Sequence, residues 1–498
     1  MRRLIRLLLR VPLLVLCPLA LILAAAALAL CDLLWLLVGK RHARADARPD
    51  SSAASVVIPS WNGRDLLEKY LPSVIAALAG NPENEVIVVD NGSTDGSAEF
   101  LRERFPGVKL VALDRNLGFG GGANAGVRAA RNGIVVLLNN DMRVAPDFLA
   151  PLLAGFRNES VFAVSCQIFF SDPNRRREET GLTQGSWHDG ALRLSHRIDD
   201  EVRDLYPCFY GGGGSCAFDR RKFLELGGFD RLLRPFYLED ADLGFLAWKR
   251  GWQVLYQPAS SVYHEHRGTI GRHFTADQIN AVYQKNYVLF AWKNIQDWRK
   301  LAAHFAFALA GSLASGIDGD SPSRASAAGV LRAFLQLPGA LVSRWRAHRM
   351  AVVSDTEAFL RPRGGYFRDR FEMEESSGAP ERPSVLFVSP YPLLPPIHGG
   401  AVFMNATVRE LARLSELHLL CMLEHASQRE AQEEVARLCA SAEFLVRPGP
   451  TSRLGSPQSH AVREFANEDF QWLIDRQIYT RRVDVVQIEY THMAQYAG

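Results

Sequence analysis

The segment IVVLLNND, residues 134–141, decides the fold class of this chain: five apolar residues are followed by three polar ones. A short continuous apolar run of this kind is typical of a strand that is buried on both faces of a sheet. Similar runs recur along the chain, with helical segments such as 64–78 between them; they are SVVIP (55–59), EVIVV (85–89), VKLVAL (108–113) and VFAVSCQI (161–168). The alternation predicts an α/β fold with a mostly parallel sheet that is covered by helices on both faces.

The residues at the carboxyl ends of four of these strands are mostly polar. In sheets of this type, ligands bind outside the carboxyl ends of the strands, so we expect these residues to line one site. They are Pro59, Trp61, Asn62, Asp90, Asn91, Asn116 and Asn139, to which the glycine run 118–124 adds Gly122 and Asn124. The glycines would let the backbone approach a phosphate at a helix N-terminus. For Asp90 there is a structural alternative, in which its side chain only forms an Asx-turn and binds no ligand.

A second group of polar residues lies between 211 and 264. Four glycines (211–214) come first, the acidic pair Glu239 and Asp240 precedes an apolar helix, and His264 follows. Together with Asp141, these residues predict one polar site that holds a divalent metal and a general base. The alternatives are that the acidic pair only caps a helix N-terminus and that His264 is a structural histidine.

Residues 11–38 form an apolar segment that is broken only by Asp32. About 20 such residues span a bilayer as a helix, so we expect a transmembrane anchor. Basic residues flank both ends equally and give no orientation. The alternatives are a cleaved signal peptide and a hairpin that dips into one leaflet.

The composition excludes some other classes of function. The 498 residues carry a formal net charge of +3, which is too weak to indicate a nucleic-acid partner. The seven cysteines include no CxxC pair, so neither a zinc ribbon nor a disulfide framework is predicted.

The ordered motifs SVVIPSWN, VVDNGSTDGS, RNLGFGGGANAG, LLNND, GGGG and LEDADL resemble those of inverting family-2 glycosyltransferases with the GT-A fold, across residues 53–300. Bacterial rhamnosyl- and galactofuranosyl-type transferases of cell-surface polysaccharide synthesis are particularly similar. The resemblance implies that Asp90 contacts the nucleotide, that Asp141 ends the metal motif and that Asp240 is the catalytic base. One departure is that Asn139-Asn140-Asp141 has one carboxylate where many relatives have two.

The same resemblance implies the remaining site residues. His264 stands at the interval from Asp240 that galactofuranosyl members use for a metal-binding histidine, and His266 is a substitute. The resemblance places the acceptor beside the glycine loop and the acidic pair, that is, beside Gly212, Gly213, Gly214 and Glu239.

The implied partners are a divalent cation, Mg²⁺ or Mn²⁺, a UDP-, dTDP- or GDP-linked sugar donor, and a lipid-linked or growing glycan acceptor. The catalytic domain is expected on the cytosolic side of the inner membrane, where nucleotide sugars are made. Two other functions stay open: a polyprenyl-phosphate sugar synthase, and an inactive membrane-tethered scaffold that binds glycans.

A separate unit begins at Ser384. Its segment SVLFVSPYPLLPPIHGGAVFMNATVREL resembles the N-terminal, Rossmann-like lobe of family-4 glycosyltransferases with the GT-B fold. This lobe is half of such an enzyme, so no independent transfer is predicted for it. The expected division is an anchor and linker (1–52), the GT-A domain (53–300), a helical and membrane-interfacial or domain-packed extension (301–361), a linker (362–383) and the incomplete GT-B lobe (384–498).

Overall fold

The computed structural model describes residues 2–43, 46–172, 174, 181–265, 274–318, 326–372, 382–447 and 459–497. The chain forms two compact units, Met1–Pro362 and Arg363–Gly498. Each unit has its own sheet and its own core.

The first unit contains the long N-terminal helix, a large sheet and a layer of later helices. Its helices are α1 (Arg2–Val38), α2 (Arg64–Leu78), α3 (Ser97–Arg104), α4 (Gly118–Ala129), α5 (Leu149–Ala154), α6 (Arg220–Leu226), α7 (Glu239–Arg250), α8 (Ala276–Asn294), α9 (Trp298–Asp318), α10 (Ala327–Phe334), α11 (Leu337–Met350) and α12 (Asp355–Leu360). Its strands are β1 (Ala54–Ser60), β2 (Glu85–Asp90), β3 (Lys109–Ala112), β4 (Ile134–Leu138), β5 (Met142–Val144), β6 (Val161–Phe170), β7 (Thr183–His188), β8 (Ala191–His196), β9 (Tyr206–Pro207), β10 (Ser215–Asp219) and β11 (Gln253–His264).

The large sheet has the order β3-β2-β1-β4-β10-β6-β11-β5, and β9 pairs with β11. The α/β class is confirmed, but the expectation of a mostly parallel sheet is wrong because the sheet is mixed. Strands β1 to β4 are parallel, whereas β10 runs antiparallel to both β4 and β6. The five residues of β10 follow the glycine loop directly, so the loop lies at the carboxyl end of β4.

Local sequence explains why the predicted elements form. All seven residues of β1 are buried, as expected for a central strand. Helix α2 buries a stripe at helical spacing; its members are Leu66, Leu67, Tyr70, Leu71, Val74 and Leu78. A Cβ on Gly126 would lie 2.2 Å from a methyl carbon of Val57, so glycine lets α4 pack directly on β1.

The N-terminal apolar segment is one continuous helix, so the hairpin alternative is wrong. Residues Val15–Val38 are long and apolar enough to cross a membrane by length and composition alone. The residues after this helix are attached to the unit, because the buried Arg250 donates hydrogen bonds of 2.8 Å to the carbonyls of His42 and Ala43.

The second unit is a smaller α/β unit with a parallel sheet in the order β14-β13-β12-β15. Its elements are α13 (Gly364–Phe371), β12 (Ser384–Ser389), α14 (Gly399–Leu414), β13 (Glu416–Leu423), α15 (Glu433–Ala436), β14 (Ser441–Val446), α16 (His460–Glu464), α17 (Glu468–Thr480) and β15 (Val485–Ile488). Helix α13 lies inside the segment expected to be a linker and packs on α17. The relation of this unit to a GT-B lobe stays a prediction.

Candidate active site

The ends of β1, β2 and β4 are joined by hydrogen bonds at one edge of the large sheet. Ser60 and Asp90 are register partners, and the backbone N–H of Asn91 donates to the carbonyl of Ser60 at 2.8 Å. The side-chain amide of Asn140 donates to the Ser60 hydroxyl at 2.9 Å. The strand-end residues therefore lie together, as the parallel arrangement of β1, β2 and β4 predicts.

Asp90 is buried, and its side chain forms the turn that was expected as the structural alternative to nucleotide binding. Its Oδ1 accepts a hydrogen bond from the N–H of Ser93 at 3.1 Å. Asn62 has a positive φ of 49° and accepts a hydrogen bond from the N–H of Thr94 at 2.8 Å. Trp61 lies half-buried between Ser60 and Asn62. The turn fixes both loops of this edge in place.

Asn91 organises the loop that leads into the glycine-rich helix α4. Its amide donates to Asn116 Oδ1 at 3.1 Å and to the Gly118 carbonyl at 3.0 Å, and its Oδ1 accepts from the N–H of Leu117 at 2.9 Å. A Cβ on Gly122 would lie 3.3 Å from both Asn91 and Pro59. The structure thus brings four predicted residues together as the frame of this loop: Pro59, Asn91, Asn116 and Gly122.

Asn124, also predicted to contact the donor, makes its contacts elsewhere. Its amide donates to the Phe229 carbonyl at 2.9 Å and accepts from the Phe229 N–H at 3.0 Å. These bonds link α4 to the loop after α6, and sequence spacing carries no signal for them.

Asp141 and His264 meet although more than a hundred residues separate them. Strand β11 pairs with β5 so that His264 stands opposite Met142, and His264 Nε2 lies 3.3 Å from Asp141 Oδ1. Asp141 is 4% exposed, and its Oδ1 accepts no hydrogen bond from any described residue. A buried carboxylate oxygen without a donor, facing an imidazole nitrogen, fits one side of a cation site.

Within the described residues, no group of three or more His, Cys, Asp and Glu side chains is arranged to hold a metal. His266 lies outside the described residues. Mg²⁺ is commonly bound by one or two protein carboxylates together with substrate phosphates and water, so two protein ligands suffice for a cation that a diphosphate completes.

The glycine loop connects this pair to the predicted base. The N–H of Gly213 donates to Asp240 Oδ2 at 3.2 Å, and the N–H of Asn139 donates to the Gly214 carbonyl at 2.9 Å. A Cβ on Gly214 would lie 2.5 Å from the Asn139 amide, and one on Gly213 would lie 2.9 Å from the Phe119 ring. The loop begins at Gly211, where a Cβ would lie 2.2 Å from Cys216 Sγ, so three of its four glycines have room for a bare backbone only; at Gly212 the nearest atom would be 4.0 Å away.

The backbone ahead of Asp240 is held in a strained form. Tyr237 and Leu238 have positive φ values of 70° and 71°, which cost of order 1–3 kcal/mol each for residues other than glycine. The amide of the buried Asn286 on α8 donates to the carbonyls of Leu233, Phe236 and Tyr237 at 2.7–2.9 Å. Sequence reasoning missed Asn286, although a polar residue inside the apolar run NYVLFAW is a signal of a buried structural bond.

The two acids at the start of α7 differ in their environment. Glu239 is buried, and this burial, reinforced by the charge of Asp240, raises its pKa well above the usual range. Burial also raises the pKa of Asp240, but the Gly213 N–H and the nearby His196 oppose that rise. Burial therefore favours the neutral form of both acids, and it does so more strongly at Glu239 than at Asp240.

Two neighbours of Asp240 carry no sequence motif. Tyr210 precedes the glycine loop, and its hydroxyl lies 3.3 Å from His196 Nε2 on β8. Burial and then the charge of Asp240 raise the pKa of Tyr210. The hairpin of β7 and β8 brings His196 to the site, and only the tertiary fold reveals this.

Comparisons with known proteins identify the family of the domain that contains this site. Residues 55–226 match the family described as Glycosyl transferase family 2. An N-acetylglucosaminyl-diphospho-decaprenol L-rhamnosyltransferase of Mycobacterium tuberculosis is 29% identical over 283 residues, which cover 52% of this chain and 90% of that protein. An undecaprenyl-phosphate 4-deoxy-4-formamido-L-arabinose transferase of Edwardsiella ictaluri is 38% identical over 104 residues, which cover 20% of this chain and 32% of that protein.

Among solved structures, GalNAc-T7 with UDP, GalNAc and Mn²⁺ has a TM-score of 0.47 and 19% identity, covering 64% of this chain and 58% of that chain. The family match and the curated relatives identify an enzyme, so the inactive scaffold is set aside.

Proposed function

Because this chain is a glycosyltransferase with a family 2 domain at residues 55–226, we propose that it moves one sugar from a nucleoside-diphosphate donor to a lipid-linked or growing cell-surface glycan, with inversion at the anomeric carbon. The observation that carries the proposal is the position of the glycine loop, in which the Gly213 N–H donates a hydrogen bond to Asp240 and the Gly214 carbonyl accepts one from the Asn139 N–H. Asn139 lies two residues before Asp141, so this loop joins the base to the donor side.

In this reaction Asp240 is the general base. The acceptor hydroxyl oxygen bonds to the anomeric carbon, the bond from that carbon to the diphosphate breaks, and Asp240 Oδ takes the hydroxyl proton. The Gly213 N–H holds the carboxylate, and the burial of Glu239 disfavours a second negative charge beside it.

Asp141 and His264 would hold Mg²⁺ or Mn²⁺ at the donor side. When bound, the cation offsets the negative charge that develops on the departing nucleoside diphosphate. Asp90, Trp61 and Asn62 contact the nucleotide from the ends of β1 and β2, and Asn139 lies beside them. Asn91, Asn116 and Gly122 keep the phosphate-facing loop in shape, and Asn124 braces α4 from the side of Phe229.

The acceptor enters beside Gly212, Gly213 and Gly214. A lipid-linked acceptor agrees with the apolar helix at Val15–Val38 and with the printed name of the mycobacterial relative. The donor is a UDP-, dTDP- or GDP-linked sugar, and the domain works at the cytosolic face of the membrane, where such donors are made.

The test is a transfer assay with the purified full chain, Mn²⁺, a panel of nucleotide sugars and a polyprenyl-diphosphate-linked sugar as acceptor. We expect one donor to give product whose new linkage has the opposite anomeric configuration to the donor, read by NMR. A retained configuration, or no transfer from any donor that binds, would refute the proposal.

A second candidate is a polyprenyl-phosphate sugar synthase, which the similarity to the undecaprenyl-phosphate transferase favours. Its acceptor is a lipid phosphate, already ionised and with less need of a base. Product with polyprenyl phosphate but not with the diphosphate-linked sugar would select this candidate.

A further inference from the structure

The N-terminal helix α1 is docked lengthwise on the first unit. One face of it is buried against α9, α10 and α11, and its members recur at helical spacing: Cys17, Ala20, Leu21, Ala24, Leu28, Cys31 and Trp35. From Cys17 to Val38 the helix axis is about 32 Å long. The contact therefore covers nearly the whole stretch that would cross a bilayer.

A buried ion pair fixes one end of this contact. The Arg344 guanidinium on α11 pairs with both oxygens of Asp32 at 2.5 Å, and His348 Nε2 lies 2.7 Å from Asp32 Oδ1. Arg344 also donates to the carbonyls of Trp292 and Ile295 at the end of α8. The single charged residue of the apolar helix is thus a docking group for the catalytic unit.

The other end of the contact adjoins the loop that carries the base. The Cys17 thiol donates to the carbonyl of Ala327, and Ser326 bonds Gln284 on α8. The next residues of α8, Lys285 and Asn286, hold the backbone of Arg234 and its neighbours ahead of Asp240. The start of α10 and helix α8 therefore link the N-terminal part of α1 to the backbone ahead of Asp240.

This arrangement conflicts with a spanning helix. If residues 15–38 crossed the hydrocarbon core, the exposed Arg332 on α10, which packs on α1, would have to enter it with them. Charged side chains in hydrocarbon cost several kcal/mol each. An orientation in the membrane plane leaves Arg332 on the cytosolic side.

The outward faces of α1 and α9 are both apolar. On α1 the exposed side chains include Val15, Leu19, Ile22, Leu30, Leu33 and Leu37, and on α9 they are Ala302, Ala303, Ala306, Leu309, Ala310, Leu313 and Ala314. No Asp, Glu, Lys or Arg occurs between Leu301 and Ser315. The two helices contact each other, so their faces form one surface.

Basic and aromatic residues border this surface. Lys40 and Arg41 are exposed just after α1, and Trp298, 72% exposed, stands beside Arg299 at the start of α9. Tryptophan and basic side chains suit the head-group layer of an anionic membrane. Charge and composition thus match a lipid surface.

We propose that α1 does not cross the membrane but lies in its plane beside α9, and that the two apolar faces together enter one leaflet of an anionic bilayer. The inference rests on the membrane association in the proposed function. It differs from the sequence-based expectation of a transmembrane anchor, because a helix packed lengthwise on a catalytic unit has one side free for lipid.

An N-terminal epitope tag on the full chain tests the orientation in inverted inner-membrane vesicles. We expect added protease to remove the tag, because an in-plane helix keeps its N-terminus on the same side as the catalytic unit. A tag that is protected until detergent is added would overturn the inference.

A matched pair of substitutions tests whether α9 contributes to the membrane-binding surface. Leu309→Glu places a charge on the proposed lipid face, whereas Leu438→Glu changes a leucine of similar exposure in the second unit, 42% against 37%. In co-sedimentation with phosphatidylethanolamine–phosphatidylglycerol vesicles we expect Leu309→Glu to bind about tenfold more weakly, and Leu438→Glu to bind as wild type. Equal binding of both variants would exclude α9 from the surface.

The two failures can be told apart. If the wild type does not bind vesicles, membrane association itself fails and this inference fails with it. A vesicle-bound chain with a protected tag overturns only the in-plane orientation, and donor binding measured in detergent is unaffected by either result.

Discussion

In both units of this chain, parallel strands end beside the glycine-rich start of a helix, but the polar side chains at these strand ends differ between the units. In the first unit, the buried Asp141 Oδ1 and Glu239 Oε2 accept no hydrogen bond from described residues. In the second unit, Arg447 lies 3.6 Å from Glu424 and 3.1 Å from Glu464, directly after β14. At Asp141 the facing group is the His264 imidazole, 3.3 Å away, whereas both glutamates of the second unit already pair with an arginine.

The glycine turns differ in the same way. At the start of α14, a Cβ on Gly400 would collide with the Tyr490 hydroxyl, and Tyr391 packs edge-on against His398, Tyr490 and Phe465. In the first unit the backbone N–H of Gly213 in the glycine loop donates a hydrogen bond to Asp240. Polar groups whose hydrogen bonds are already satisfied within the protein indicate a structural role, whereas a buried carboxylate oxygen without a hydrogen-bond donor indicates a ligand.

The sharpest way to break this comparison is Asp240→Asn. Loss of the base should lower kcat by about 100-fold or more while donor affinity survives. Glu424→Gln in the second unit is the control and should keep full turnover. A turnover of Asp240→Asn within about threefold of wild type at saturating substrate would exclude Asp240 as base and favour the polyprenyl-phosphate candidate.

Metal-dependent binding tests the unpaired oxygen of Asp141. Asp141→Ala and His264→Ala should each weaken calorimetric binding of a nucleoside diphosphate in Mn²⁺ by at least about tenfold, because each removes one of two protein ligands. Glu464→Gln should leave the affinity unchanged. Wild-type affinity of both site variants would place the metal elsewhere.

The glycine loops provide a smaller and more local comparison. Gly213→Ala should lower kcat roughly tenfold, because the added Cβ meets the rings of Phe119 and Phe229 and displaces the N–H that holds Asp240. Gly399→Ala in the second unit meets no atom within 4 Å and should be neutral. Equal kcat in both variants, with unchanged thermal stability, would show that the loop does not position the base.

The smallest predicted effect is a shift of the acid limb of the pH–rate profile. Burial raises the pKa of Asp240, so the rate should fall with decreasing pH through a value above about 3.9, the usual value for aspartate. His196 opposes that rise, so His196→Gln should move the limb to higher pH. A shift to lower pH would contradict the described position of His196.

The elements with a strong local pattern could be predicted from the sequence, and the contacts between distant segments could not. The buried strands at 55–59, 85–89 and 134–138 and the stripe of α2 follow from periodicity. The antiparallel return of Ser215–Asp219 does not, because five residues after four glycines carry too little pattern. For the same reason, nothing local pairs Asn124 with Phe229 or Asn286 with the backbone before Asp240.

The candidate site divides along the same line. The acids at strand and helix ends could be identified because their positions follow from the alternation of strands and helices. The docking of α1 could not, because a helix that is apolar all round gives no sign of which face meets protein and which meets lipid. Asp32 was the one local signal, and its meaning depends on Arg344, some three hundred residues later.

Helix α7 has Asp240, the proposed base, in its first turn and, at its last residue, the arginine that donates hydrogen bonds to the carbonyls of His42 and Ala43. Its twelve residues set a distance of about 18 Å between the proposed catalytic carboxylate and the segment that follows the N-terminal helix. Because one continuous helix sets this distance, inserting or deleting residues in α7 is the direct way to change how far Asp240 lies from residues 42 and 43.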